Sequence, residues 1–144
     1  MRWMTRLLVS ARPHPEETFS SVPGVTSTSV GYTGGDSSKP SYGSVCSGDG
    51  HTEAIKINFD PSKVSYNELV DMFMTQHDPH SKMPTQYQSA VWPQNKAQEE
   101  SVFNAIEKIE ARGRTVFTKV RWYRCTPGRP WADRMTALGP SACS

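Results

Sequence analysis

Two rhythms of apolar residues run through this chain. Glu53–Phe59 keeps a period of two: Ala54, Ile55, Ile57 and Phe59 are apolar, Lys56 and Asn58 are polar, and Asp60-Pro61 stops the run. That pattern predicts a strand. Val25–Tyr32 also alternates and is rich in β-branched residues, which predicts another. Shorter runs at Met4–Ser10, Ser89–Trp92 and Val116–Tyr123 predict three more.

The helical rhythm appears three times. Pro15-Glu16-Glu17 opens a short helix, with proline in the first turn and acids at the positive end of the dipole; Phe19 and Val22 share a side and Pro23-Gly24 ends it. Ser65-Tyr66-Asn67-Glu68 fits a capping box, flanked by Val64 and Leu69 at the positions of a hydrophobic staple. The helix it opens runs from Tyr66 to about Gln76, with Tyr66, Leu69, Val70 and Phe73 on its stripe, Met72 and Met74 beside it, and Asp78-Pro79 closing it. Asn95 caps a third helix to Arg112, with Val102, Ala105, Ile106 and Ile109 on one face and Gly113 as its C′ residue. Thr33–Gly50 and His77–Gln88 read as loops, and no periodicity is found beyond Cys125. The order of elements predicts an α+β fold, with helices packed on one face of a mixed sheet. The length of 144 residues predicts a single domain spanning 1–144.

The net charge of +2 conceals a segregation. All nine arginines lie in Met1–Arg12 or Arg112–Ser144. Residues 13–111 set six lysines against thirteen acids, while the flanks set nine arginines and Lys119 against Asp133. A basic flank can be a handle for acidic partners. The arginines are not interleaved with aromatic residues, so a nucleic-acid partner is not indicated. No apolar run approaches the ~20 residues of a membrane span, and Arg6-Leu7-Leu8-Val9 is too short for the hydrophobic region of a secretory signal. The expectation is a cytoplasmic protein with no membrane partner. Three cysteines, Cys46, Cys125 and Cys143, form an odd set without a C-x-x-C pair, which argues against a disulfide framework or a thiolate zinc site.

Candidate chemistry gathers in the loops. Gly31-Tyr32-Thr33-Gly34-Gly35 lacks the spacing of a phosphate cradle and suits a turn that brings backbone to a ligand beside Tyr32, or a plain strand end. Cys46, His51 and Glu53 lie within eight residues. A Cys/His pair can make a thiolate nucleophile with Glu53 orienting the histidine; spacing alone favours a small buried cysteine. Glu53 opens an apolar strand, where partial burial suits a carboxyl acting as an acid; a solvated strand-end glutamate is the other reading. His77 and His80 flank Asp78-Pro79, which suits a helix-ending turn better than a metal site. Tyr87 stands at a loop–strand junction, where half-buried packing is its plainest role.

Taken together, several segments resemble the peptide methionine sulfoxide reductase A family. They include Pro15-Glu16-Glu17-Thr18-Phe19, Val30-Gly31-Tyr32-Thr33-Gly34-Gly35, Gly50-His51-Thr52-Glu53-Ala54, Phe59-Asp60-Pro61, His77-Asp78-Pro79 and Thr85-Gln86-Tyr87-Gln88-Ser89-Ala90, in the family's order from about Pro15 to Lys119. The resemblance implies a two-layer sandwich with a ferredoxin-like core. It implies reduction of methionine S-sulfoxide, in oxidised proteins or as the free amino acid, with thioredoxin as reductant and no cofactor or metal. In that family a cysteine thiolate at the start of the first helix attacks the sulfoxide sulfur while a glutamate protonates the oxygen, helped by tyrosine hydroxyls. Carried over, Glu53 matches the proton donor, and Tyr32 and Tyr87 match substrate-binding tyrosines. Cys46 matches a cysteine that is not the nucleophile.

The match stops at both ends. Counting back from Pro15-Glu16-Glu17, the five positions of the nucleophile motif fall on Ser10-Ala11-Arg12-Pro13-His14. Ala11 stands at the cysteine position and carries no electron pair. Residues 1–12 and 120–144 diverge from the family's pattern, and His80-Ser81-Lys82-Met83-Pro84 is shorter than the family's loop and holds no acid. The resemblance therefore implies an impaired reductase, or alternatively an inactive protein that binds methionine sulfoxide or uses its basic tail to meet a partner.

Overall fold

The computed structural model describes residues 6–10, 16–33, 52–121 and 136–137. In chain order its elements are β1 (Arg6–Ser10), α1 (Glu16–Ser20), β2 (Val25–Thr33), β3 (Thr52–Phe59), α2 (Tyr66–Thr75), a 3-10 turn (Thr85–Tyr87), β4 (Ala90–Val91), α3 (Lys96–Glu110), β5 (Lys119–Val120) and β6 (Thr136–Ala137). The strands form one sheet in the order β5-β4-β1-β3-β2-β6. Every neighbouring pair is antiparallel except β4 and β5, so the sheet is mixed. With its helices this is the α+β arrangement read from the sequence.

β3 is the spine of the sheet, paired with β1 on one side and β2 on the other. Its alternation sends Ile55, Ile57 and Phe59 to one face. Directly opposed residues of an antiparallel pair share a face, so Leu7 and Val9 of β1, and Thr28 and Val30 of β2, join them. The helices cover this face. Phe19 of α1, Leu69, Val70 and Phe73 of α2, and Val102 of α3 are fully buried in one cluster with Leu7, Val9, Ile55 and Ile57. Burying one such side chain contributes about 1.5–3 kcal/mol. On the opposite face, Lys56 and Asn58 lie across from Ser29 and Ser27, and Asn58 Nδ2 donates to Ser27 Oγ at 2.8 Å. That alternation explains why a strand half polar in sequence lies at the centre of the sheet.

Local chemistry sets the ends of the elements. Ser65 Oγ accepts from the Glu68 N–H at 3.1 Å, and the Glu68 carboxylate accepts from the Ser65 N–H at 2.8 Å, so the capping box is complete. Val64 and Leu69 of the staple are both buried. Asn95 Oδ1 caps α3 by accepting from the Gln98 N–H at 2.9 Å. The chain reverses after α3 at Gly113, which has a φ of +84°, two residues beyond the capping residue Ala111 rather than directly after it. Gly24, with φ +99°, ends the turn after α1, and its carbonyl accepts from the Asp60 N–H at 2.7 Å. A Cβ there would sit 2.9 Å from Lys63 Cβ and 2.9 Å from Val64 Cγ1, so the two turns close on each other only over a glycine.

Three expectations need correction. The last strand is two residues long, not Val116–Tyr123, because its partner β4 is equally short. The approach to it is still tied down: Phe117 N–H donates to Pro79 O at 2.7 Å and Lys119 N–H to Ser89 O at 2.8 Å. The stretch read as loop, His77–Gln88, contains the 3-10 turn. Thr136–Ala137, where no periodicity was visible, adds a strand to the edge of β2. Among the described residues, no helix is long and apolar enough to cross a membrane.

Candidate active site

Tyr32 near the end of β2 and Glu53 near the start of β3 are direct cross-strand partners. Such partners hold their Cβ atoms about 5 Å apart on one face. Here it is the face of Val30 and Ile55, at the end of the apolar row. Tyr32 is 3% exposed and Glu53 is 5% exposed. The pairing brings a phenol and a carboxyl side by side in a largely water-free place, although 20 residues separate them in the chain. The register is fixed by the apolar alternation: a slip of one residue would turn the apolar residues of the slipping strand, Val30 of β2 or Ile55 of β3, away from the core face.

Tyr87 is half-buried and closes the 3-10 turn, its N–H donating to Pro84 O at 2.9 Å. The turn is fastened to the start of β3 by Thr52, the residue before Glu53. Thr52 Oγ1 donates to Thr85 O at 2.8 Å and accepts from Gln88 Nε2 at 3.0 Å. Thr52 is fully buried. One hydroxyl thus joins the segment carrying Tyr87 to the strand carrying Glu53. Sequence reasoning assigned Thr52 and Gln88 no role, because a threonine between His51 and Glu53 carries no signal until its partners are known.

A second tether lies behind the turn. His77 stacks on Phe73 one turn earlier in the chain, with ring centroids 4.4 Å apart. Its Nδ1 lies 2.7 Å from Phe73 O, and its Nε2 lies 2.6 Å from Ser89 Oγ. A carbonyl only accepts, so Nδ1 carries the proton and Nε2 accepts from the Ser89 hydroxyl. Ser89 Oγ in turn accepts from Thr118 Oγ1 at 2.8 Å. Burial, opposed by the Phe73 hydrogen bond and the Asp78 charge and assisted by His80, holds His77 below the usual imidazole range. His80 Nδ1 is taken up by Thr115 O at 2.7 Å. These hydrogen bonds tie the residues after α2 to those that lead into β4 and β5, which is the helix-ending role.

β1 runs towards Glu53. Its last pair with β3, Val9 with Ile55, is two residues short of that carboxyl. Ser10 is opposite Ala90 and therefore points to the face away from Val9, Ile55 and Glu53. It is 2% exposed, and its hydroxyl has no hydrogen-bond partner among the described residues. The hydroxyl that precedes Ala11 in the chain thus emerges on the face of the sheet opposite to Glu53. Ala11, Cys46, His51, Cys125 and Cys143 lie outside the described residues.

The sequence profile described as peptide methionine sulfoxide reductase matches residues 15–125. Relatives named peptide methionine sulfoxide reductase MsrA, from Escherichia coli and Shigella boydii, are 43% identical over 103 residues, which is 67% of this chain and 49% of theirs. The chain therefore spans about half the length of these relatives. Among solved structures, methionine sulfoxide reductase A of Corynebacterium diphtheriae is similar with a TM-score of 0.68 and 29% identity, over 82% of this chain and 64% of that one. The reduced form of Mxr1 from Saccharomyces cerevisiae gives a TM-score of 0.70 over 83% of this chain and 80% of that one; at 20% identity it speaks to the fold alone. A profile matched across most of the sequence shows that the chain belongs to the peptide methionine sulfoxide reductase family.

Proposed function

We propose that this chain recognises methionine S-sulfoxide in oxidised proteins, or as the free amino acid, and that its own turnover is impaired. The observation that carries the reading is the opposed, buried pair of Tyr32 and Glu53. Reducing a sulfoxide to a sulfide takes two electrons and two protons and releases the oxygen as water. The oxygen is a strong acceptor. Glu53 donates the proton to it, and the hydroxyls of Tyr32 and Tyr87 hold it in place. Tyr87 joins this group by the family resemblance; the Thr52 side chain, which holds its turn, leaves β3 on the face opposite to Glu53.

The electron pair at sulfur is a separate matter. In the family a cysteine thiolate supplies it, releasing the sulfide and leaving a sulfenic acid that a dithiol such as thioredoxin reduces. Ala11 has only a methyl group at that position, and Ser10 points to the other face. Recognition and proton donation remain while attack is lost. Thioredoxin is the expected reductant wherever a thiol re-enters the site, as in an Ala11→Cys variant. A reducing, cytoplasmic setting suits three cysteines without a pairing pattern.

The test combines binding with turnover. Fluorescence anisotropy with a labelled peptide should show the methionine sulfoxide form binding about tenfold more tightly than the unoxidised form, the scale set by one or two buried hydrogen bonds. Incubation with the same peptide and dithiothreitol should yield no sulfide. Equal affinity for the two peptides would overturn the recognition, and stoichiometric sulfide production would overturn the impairment.

A further inference from the structure

We propose that a cationic groove beside the Tyr87 turn binds acidic residues that flank methionine sulfoxide in the oxidised protein. The inference deepens the proposed recognition of methionine sulfoxide and rests on it. The groove encloses about 370 Å³. One wall is the Tyr87 segment itself, through Thr85 and Gln88, the two residues tethered to Thr52. Lys82, Met83, Phe117, Lys119 and Arg121 line the groove as well.

Charge chooses the occupant. Lys82, Lys119 and Arg121 all line the groove, and no carboxylate lines it with them among the described residues. All three are exposed. Among the described residues none has an ion-pair partner; Lys82 instead sets its Nζ 5.2 Å from the centre of the Phe117 ring. Asp78 does not line the groove; its carboxylate accepts from the Ser81 hydroxyl at 2.6 Å and the His80 N–H at 2.9 Å. Three like charges around one concavity repel one another and attract an anion. Arginine adds a planar fork matched to a carboxylate. Met83, 40% exposed, and Phe117 offer apolar contact for the aliphatic part of a glutamate side chain. The extended chain of a substrate whose sulfoxide reaches Glu53 past Tyr87 would therefore lay its neighbouring residues in a positively charged trough. Glutamate or aspartate within a few residues of the oxidised methionine fits it; lysine or arginine there is repelled.

The test uses the intact chain and four labelled peptides. Three carry methionine sulfoxide with neutral, glutamate or lysine flanks; the fourth has glutamate flanks and unoxidised methionine. Anisotropy titrations at low salt should show the glutamate-flanked sulfoxide binding about fivefold to tenfold tighter than the neutral one, the scale of two exposed ion pairs. The lysine-flanked peptide should bind more weakly than the neutral one. The advantage should vanish near 1 M salt, where the screening length is about 3 Å. It should reverse in the double variant Lys82→Glu, Lys119→Glu, whose affinity for the neutral sulfoxide should not change. If the neutral sulfoxide binds selectively over unoxidised methionine and acidic flanks add nothing, the groove is refuted and the sulfoxide site stands. If the two glutamate-flanked peptides bind equally, whether oxidised or not, the link between groove and site fails together with the proposed recognition. Should the double variant fail to fold, the salt series on the unaltered chain separates the same outcomes.

Discussion

Replacing Thr52 with valine removes a single hydroxyl while keeping shape and volume. That hydroxyl donates to Thr85 O at 2.8 Å and accepts from Gln88 Nε2 at 3.0 Å, from a fully buried position. Each hydrogen bond contributes about 0.5–1.5 kcal/mol net. Two losses would reach about 3 kcal/mol at most. The Thr85 carbonyl keeps a long bond from the Gln88 N–H at 3.4 Å, and the Gln88 side chain is half-buried and finds water, so both groups are partly compensated. The expected cost is about 1.5 kcal/mol. Because it falls on the tether of the Tyr87 turn, it should appear as about a tenfold loss in affinity for a methionine sulfoxide peptide. Thr52→Ser, which keeps the hydroxyl, should retain most of the affinity. Anisotropy titrations of the three proteins, with melting curves alongside, separate the alternatives. Unchanged affinity in Thr52→Val, with only a lower melting temperature, would show that the turn is tied to β3 for stability alone.

Other consequences concern the scaffold. The Tyr66 hydroxyl is buried with no hydrogen-bond partner among the described residues, and burial pushes its phenol far above the usual range. Tyr66→Phe should therefore raise the melting temperature by about 2–4 °C, since about 1 kcal/mol of uncompensated desolvation is relieved; a fall would show a hidden partner. Gly24→Ala should destabilise by more than about 1 kcal/mol in urea unfolding, because φ is +99° and the added methyl meets Lys63 and Val64 at 2.9 Å; a neutral outcome would refute the close contact of the two turns. His77 is favoured as the neutral imidazole by the fold, so the stability it contributes is complete above its ordinary value of 6.5 and is lost as pH falls through its lower folded value. The unfolding free energy should thus drop more steeply below that pH than in His77→Gln, and equal slopes would contradict the burial of the ring.

Much of the scaffold was legible because local rules and tertiary packing agree in it. The period of two in Glu53–Phe59, the Ser65–Glu68 box and the Asn95 cap each state a structure within a few residues, and the structure keeps them. The pairing of Tyr32 with Glu53 was not legible from spacing, since it depends on the register of two strands and 20 residues lie between the two side chains' positions in the chain; only family resemblance put the two residues in one site. The tethers were invisible for a related reason. Thr52, Ser89 and Thr118 are ordinary small polar residues in the sequence, and their meaning lies in partners 29 to 36 positions away. β6 and the shortness of β5 were missed because two-residue edge strands are set by a neighbour's unpaired backbone and leave no period.

The most direct measurement is epimer-resolved competition at the site. A labelled methionine sulfoxide peptide, bound to the chain, is displaced with unlabelled peptides that differ only in the configuration at sulfur. On the proposal that Tyr32, Glu53 and Tyr87 hold the oxygen, the S-sulfoxide should displace the probe and the R-sulfoxide should do so only at about tenfold higher concentration or above; Glu53→Gln should weaken the first and leave the second unchanged. Equal displacement by the two epimers would contradict the existence of a stereospecific sulfoxide site in this chain.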